Sequence, residues 1–589
     1  MGYDPDAQAD RGLIARLDPP QIRNAEGEVV WDADAYAFLD EECPPTAHPG
    51  LWEHSRRCAR QGLYEVTEGI YQVRGLDLSN MTLVEGRKGV IAVDPLISAE
   101  CARAGLELYR RHRGDRPVTG AVYTSSHIDH FAGVRGAIDG SVPILAPRGF
   151  LTNAVSENVY AGPALVRRGY FYTGALLERG PAGQIGLGLG QSSSSGRISL
   201  VAPNRSISRT GQEEVVDGVR LVFQMTPGSE APAEANFYLP EHRALCMAEN
   251  AVHSLHNVLD LSGALVRDAR LWARYLDESI ELFAGKSDVQ FASHHWPTWG
   301  TEEIIRFLSQ QRDMYAYLHD QTLRLMNKGL VGSEIAEELR MPPGLVRQEH
   351  TRGYYGSVSH NAKAIYQRYM GWFDGNPAHL WEHPPVEAAR RYVDCMGGVD
   401  ETVRKAEGYR DAGDLRFAAT LLDHAVFADP DHSGAREALA GVYESLAYGA
   451  ECGTWRNFYL QGAHELRHGF PKVHYDIAGE MATGLTEEQL FDALAIRIDG
   501  PRAWGESFAI DWRFPSSLYR TTMSNGALIV RQAPRAGRAD LSVHLTKADL
   551  IGLVRGEERP ITTEGDASLL ERLLGLLDPS DGSFAIVTP

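Results

Sequence analysis

The 589-residue chain has only six cysteines, Cys43, Cys58, Cys101, Cys246, Cys395 and Cys452, and no C-x-x-C pair among them. That scatter excludes a cysteine zinc knuckle and offers no disulfide framework, so free thiols in a reducing compartment are the simplest expectation. Positive charge is scarce too: 58 lysines and arginines against 78 acidic residues leave a formal charge of −20. Such a surface argues against nucleic-acid or anionic-membrane partners, which need basic faces. An anionic substrate would need a local cationic pocket against the overall field. No run approaches the length of a membrane span, and the acidic start Met1-Gly2-Tyr3-Asp4-Pro5-Asp6 lacks an apolar stretch of signal-peptide length. A cytoplasmic protein is expected.

What is present is an ordinary globular composition, 43% hydrophobic and 23% charged. The chain is too long for one core, so two or three domains are expected. From Gly62 to Leu96, short β-branched and aromatic runs separated by Gly, Asn and Asp predict consecutive hairpins. A helix over roughly Ala99 to His112 follows, and strands giving way to alternating helices and strands indicate α/β layers. Beyond a strand at Val289 to Ser293, helical segments dominate from Glu302 through Asn327. Between Pro385 and about His468, amphipathic stretches at Leu415 to Ala425 and Ala435 to Tyr443 flank a Pro-Asp-His turn, resembling one tetratricopeptide unit with a role in self-association. From about Asp476 a helix near Leu485 to Ile496 precedes four strand-like runs, predicting a helix on an antiparallel sheet that could enclose an apolar ligand.

The chemistry concentrates at His127-Ile128-Asp129-His130, after the apolar run Gly120-Ala121-Val122-Tyr123 and before Gly133. Clustered imidazoles and a carboxylate at a strand end are what a borderline metal ion needs. Glu249 follows the apolar run Ala244 to Ala248, where a buried acid requires a compensating positive charge. Glu230 lies in a loop rich in Gly and Pro, where plain solvation is the alternative.

These motifs, with Thr226 to Pro232, Cys246 to Asn250, His256-Asn257, Ala292 to Gly300, Gly353 to Asn361 and Tyr369 to Pro377, resemble the linear alkyl sulfatases of the metallo-β-lactamase superfamily over nearly the whole chain. The resemblance implies a metallo-β-lactamase αββα sandwich over 1–380, an all-α dimerisation domain over 381–475 and an α+β sterol-carrier-like domain over 476–589. It also implies a homodimer acting on a small amphiphilic or apolar substrate. That family holds two zinc ions with a T-H-S-H-x-D-H motif, two glutamates and a late histidine. Carried over by position, His127 and Glu230 serve the first ion, Asp129, His130 and His294 the second, and Glu249 bridges them. A hydroxide held by the metals and oriented by Asp129 and the bridge would then cleave a sulfate ester of an apolar alcohol, since such a pair lowers the pKa of water to about 7. His256 or His360 would protonate the leaving group. Asn250, Tyr170, Tyr172 and Arg267 are the candidate substrate-binding residues. Their plainer alternatives are a helix-start ion pair for Arg267 with Asp268 and core packing for the tyrosines.

Two positions depart from the family pattern. Ser125 stands where the family has its first histidine, and a hydroxyl is a poor ligand at neutral pH. Ser262, in Leu261-Ser262-Gly263-Ala264, stands where the family has an arginine suited to sulfate. Two alternatives to a zinc hydrolase therefore stay open: a diverged iron or manganese enzyme of a biosynthetic pathway with non-sulfatase, even redox, chemistry, and a lipid-binding or scaffold dimer with a decayed metal centre.

Overall fold

Alternation along the early strands assigns residues to two different cores. In Met81–Glu85 and Val90–Val93, the side chains of Met81, Leu83, Val90 and Ala92 join one apolar cluster, and Val84, Ile91 and Val93 join another. A strand apolar on both faces belongs in the middle of a layered structure. The computed structural model describes residues 4–472, 477–534, 537–579 and 582–589. It has an eight-stranded sheet in the order Leu13–Ala15, Gly62–Thr67, Ile70–Arg74, Met81–Glu85, Val90–Val93, Val118–Val122, Ile144–Pro147, Arg205–Ile207. The expected hairpins from Gly62 onward pair antiparallel, and the sheet becomes parallel from Val90–Val93 into Val118–Val122.

A six-stranded sheet runs Glu213–Val216, Val219–Met225, Ala235–Leu239, Ala244–Cys246, Val289–Phe291, Thr298–Trp299. The two sheets meet through a shared core in which Ile70, Val84, Val122 and Leu145 face Phe223, Phe237, Cys246 and Phe291. Helix Ala99–Arg113 covers the outer face of the first sheet through Cys101, Leu106 and Tyr109. It starts where the Ser98 side chain accepts from the Cys101 N–H and ends at Gly114, with φ of 94°. Helices Ala269–Leu282 and Thr301–Met326 cover the second sheet through Trp272, Leu276, Leu308 and Leu318. This is the expected αββα sandwich.

Helices Gly332–Glu338 and Val358–Met370 share that second outer core through Ile335 and Ile365. From Pro385–Met396 to Gly453–His468 the helices build a core of their own, around Leu422, Val426, Leu439 and Leu466. The expected hairpin is formed by Leu415–Ala428 and Ser433–Tyr448. Helix Gly453–His468 returns to the sandwich, where Arg167 of helix Gly162–Thr173 pairs with Glu465 at 2.5 Å, both side chains buried.

In the C-terminal part the sheet order is Ala527–Gln532, Leu518–Ser524, Phe508–Arg513, Leu541–His544, Thr562–Gly565. The expectation of an antiparallel sheet needs correction, because Leu541–His544 pairs parallel with Phe508–Arg513. Leu541–His544 enters on the free side of Phe508–Arg513, the first strand of the three-stranded meander, and runs in the same direction as it. The expected domain boundary at 475/476 lies outside the described residues.

Candidate metal centre

The histidine cluster sits where Val118–Val122 leaves the sheet. Asp94, at the end of the neighbouring strand, accepts from the Thr124 N–H at 2.8 Å and from the hydroxyls of Thr124 and Ser293 at 2.6 Å each, tying three strand ends together. Its Oδ2 also lies 3.1 Å from His130 Nδ1. A carboxylate on Nδ1 fixes the proton there and turns Nε2 inward as a lone pair. The Leu78 carbonyl does the same for His294, at 3.2 Å from Nδ1.

Both inward nitrogens meet carboxylates. His130 Nε2 lies 2.9 Å from Glu249 Oε2, and His294 Nε2 lies 3.2 Å from Asp129 Oδ2 and 3.4 Å from Glu249 Oε1. The four residues are buried, and their nearest ligand atoms all lie within 4.8 Å of one another. His294 Nε2 has no hydrogen-bond partner. Lone pairs facing carboxylate oxygens across such distances repel unless a positive charge lies between them. The electrostatics of the site make the same demand. Burial pulls the His294 imidazole down, but Glu249 and Asp129 outweigh it and push the pKa up to about 9. Burial raises the Glu249 carboxyl, and the surrounding imidazoles, His294 foremost, still hold it well below its ordinary value. A divalent cation answers that demand with the imidazoles neutral, so the donor set fits a metal ion.

A second group, His127, Glu230 and Glu249, adjoins the first through the shared glutamate. His127 Nδ1 is 3.0 Å from Glu230 Oε2, and Glu230 Oε1 is 2.5 Å from the Arg267 guanidinium. Burial lowers the His127 pKa, but the charges of Glu230 and Glu157 push it up to about 10. The Ser125 hydroxyl accepts from the His127 backbone N–H at 3.2 Å and so faces its own loop.

The other expected site residues are dispersed around these groups. His256 Nε2 lies 2.8 Å from Glu249 Oε1, and its Nδ1 lies 3.0 Å from an Arg267 nitrogen. His360 instead accepts from the Trp455 indole at 3.1 Å, and burial pushes its pKa down to about 3. The Asn250 amide donates to Thr226 and Asn236 at 3.1 and 3.0 Å. Tyr172 accepts from Asn257 at 2.6 Å beside the ring of Tyr355, whereas Tyr170 lines a separate cavity against the C-terminal helices Glu487–Ile496 and Lys547–Val554. Arg267 does not pair with Asp268, which caps helix Ala269–Leu282. Ser262 turns its hydroxyl onto Asp260 at 2.6 Å.

Two residues escaped the sequence argument. Asp94 ends the apolar run Val90–Val93, the same signal that singled out Glu249. Glu234 is buried and pairs backbone to backbone with Ser125, and burial with the charges of Glu230 and Glu249 raises its pKa to about 8. The sequence carries no mark of that role.

Comparison with known proteins agrees with this architecture. Residues 74–144 match the metallo-β-lactamase superfamily, residues 331–469 alkyl sulfatase dimerisation, and residues 477–589 the alkyl sulfatase C-terminal family. A linear primary-alkylsulfatase and an (R)-specific secondary-alkylsulfatase, both of Pseudomonas sp, are each 44% identical over 99% of this chain, covering 89% and 90% of their own lengths. The solved structure of the stereoselective inverting sec-alkylsulfatase Pisa1 from Pseudomonas sp. superposes with a TM-score of 0.96 at 43% identity, covering 99% of this chain and 95% of its own. The chain belongs to the alkyl sulfatase family, divalent-metal hydrolases built on the metallo-β-lactamase fold.

Proposed function

We propose that the protein hydrolyses a sulfate ester of an apolar alcohol. The observation that carries this is the convergence of His130 and His294, each with Nδ1 tied off, on Asp129 and Glu249. These four residues would hold a divalent ion, zinc in the first instance, although two imidazoles and two carboxylates accept iron or manganese as well. Bound there, the ion supplies Lewis acidity and lowers the pKa of water towards about 7. Asp129 and Glu249 would orient the nucleophile.

His256 is the better placed of the two proton-donor candidates. Its Nε2 points into the centre, 2.8 Å from Glu249 Oε1 and 3.9 Å from Glu230 Oε1. His360 accepts from Trp455 through Nδ1, and burial, which pushes its pKa down to about 3, keeps it from becoming the imidazolium that an effective general acid needs. For the alcohol, an apolar wall of Tyr172, Leu187, Leu189, Val252 and Tyr355 lies beside the centre, with the Tyr355 ring edge-on to His256 at 4.7 Å. For the sulfate, Asn257 and Tyr172 offer hydrogen bonding where Ser262 offers no charge.

A sterol-carrier-like role for the C-terminal domain is supported by a cavity of about 520 Å³, lined by Val166, Tyr170, Leu494, Leu550 and Val554. Division of the chain at 380 is supported by the separate core that begins with Pro385–Met396. A homodimer is supported by the dimerisation match and by exposed Trp372, Leu380 and Trp381. Six free cysteines favour a reducing, cytoplasmic setting. Among the described residues, no helix is long and apolar enough to cross a membrane.

The test is sulfate release from dodecyl sulfate, measured by ion chromatography on metal-loaded enzyme. Release that disappears in His294→Ala is expected. A metal-loaded protein that releases none would overturn the proposal.

A further inference from the structure

The two ligand groups of the centre are unequal. Asp129, His130, Glu249 and His294 offer four donors, with both histidine Nε2 atoms turned inward by fixed partners on the other ring nitrogen. His127, Glu230 and Glu249 offer three, of which only His127 and Glu230 are not shared. The shared Glu249 gives one oxygen to His130 at 2.9 Å and the other to His256 at 2.8 Å. Ser125, two residues before His127, has turned its hydroxyl to the His127 backbone N–H. A protein site for a divalent ion ordinarily has three or four ligands of its own.

A cation already sits on the smaller group. Arg267 is buried, with one guanidinium nitrogen 2.5 Å from Glu230 Oε1 and the other held by the Asn257 carbonyl at 2.9 Å and His256 Nδ1 at 3.0 Å. Those contacts hold the guanidinium beside Glu230. A divalent ion bound by Glu230 would have to share this carboxylate with a permanent positive charge in a water-poor interior, where repulsion between like charges is strong.

We propose that the centre binds a single divalent ion, in the pocket of Asp129, His130, Glu249 and His294, and that the Arg267 guanidinium supplies the positive charge at Glu230 in place of a second. Arg267 is then a positioning residue: its guanidinium is an ion-pair partner of Glu230 and packs against His256 Nδ1. This rests on the metallohydrolase reading of the same site and specifies its stoichiometry.

The experiment is native mass spectrometry of the full chain after loading with excess zinc and desalting. One zinc per chain is expected in the natural sequence, one zinc is retained in Glu230→Gln, and none remains in His294→Ala. Two zinc ions in the natural sequence, loss of zinc in Glu230→Gln, or its retention in His294→Ala would each overturn the proposal. Electron paramagnetic resonance of the manganese-loaded chain gives a second readout that does not depend on how any variant folds: an isolated-ion signal is expected, and an exchange-coupled pair would overturn it. The outcomes separate the two claims. Two zinc ions with sulfate release would remove this inference alone, one zinc without sulfate release would remove the sulfatase reading alone, and a chain that binds no metal would remove both.

Discussion

At the scale of single residues, the centre depends on groups that never touch a metal. Asp94 holds three strand ends and the His130 ring at once. Replacing such an orienting carboxylate weakens metal affinity by about 10–100-fold. Asp94→Asn should show that loss in competitive zinc titration with the other ligands unchanged. Protons also compete with the ion. The His294 pKa of about 9 applies to the metal-free site, so below that pH binding must displace a proton, and affinity should rise with pH up to about 9. Titrations between pH 6 and 8 should show roughly tenfold tighter binding per unit for each proton released, whereas a flat profile would mean that the imidazole is neutral before binding. Glu234 works in the opposite sense on stability. Its folded pKa, raised to about 8 by burial and its acidic neighbours, means that the protonated form is favoured in the fold. Its contribution is complete below the unfolded carboxyl value and is lost as pH rises through about 8. Metal-depleted Glu234→Gln should therefore melt higher than the natural sequence at pH 9 and gain nothing at pH 5.

At the scale of elements, period and punctuation in the sequence predicted most of what formed. The hairpins after Gly62, the helix after Ser98 and the helical hairpin before Gly449 all follow from local patterns. The crossover that makes the C-terminal sheet mixed does not, because pairing sense depends on where a returning strand lands. Docking between elements was equally invisible. Arg167 and Glu465 form a buried ion pair joining a helix of the sandwich to the last helix of the bundle. Removing one partner of such a pair strands a buried charge and destabilises by about 3–5 kcal/mol. Glu465→Leu should show that loss in urea unfolding, and Arg167→Met combined with Glu465→Leu should recover most of it.

At the scale of the whole molecule, an exposed apolar stretch lies between helix Val358–Met370 and the helical bundle that begins at Pro385–Met396. Trp381 is 96% exposed and Trp372 77%, close to Leu380 in sequence. Single exposed apolar residues are ordinary, but two tryptophans and a leucine within one short stretch suit a contact surface. Trp381→Glu should shift the protein from dimer to monomer in light scattering at micromolar concentration. An unchanged mass would place the interface elsewhere on the bundle.

The chemistry on offer was written in the chain: imidazoles and carboxylates at strand ends and an acid after an apolar run. Those are local properties, readable because ligand type and strand period are written in neighbouring residues. How that offer is used followed from the packing. It set Arg267 on Glu230 rather than on Asp268, turned Ser125 to its own loop, placed His256 on Glu249 and His360 on Trp455, and brought Asp94 behind His130. The reason is physical. A buried charge takes whichever opposite charge the packing brings within a few Å, and residues far apart in the chain become neighbours only when two sheets close on a common core.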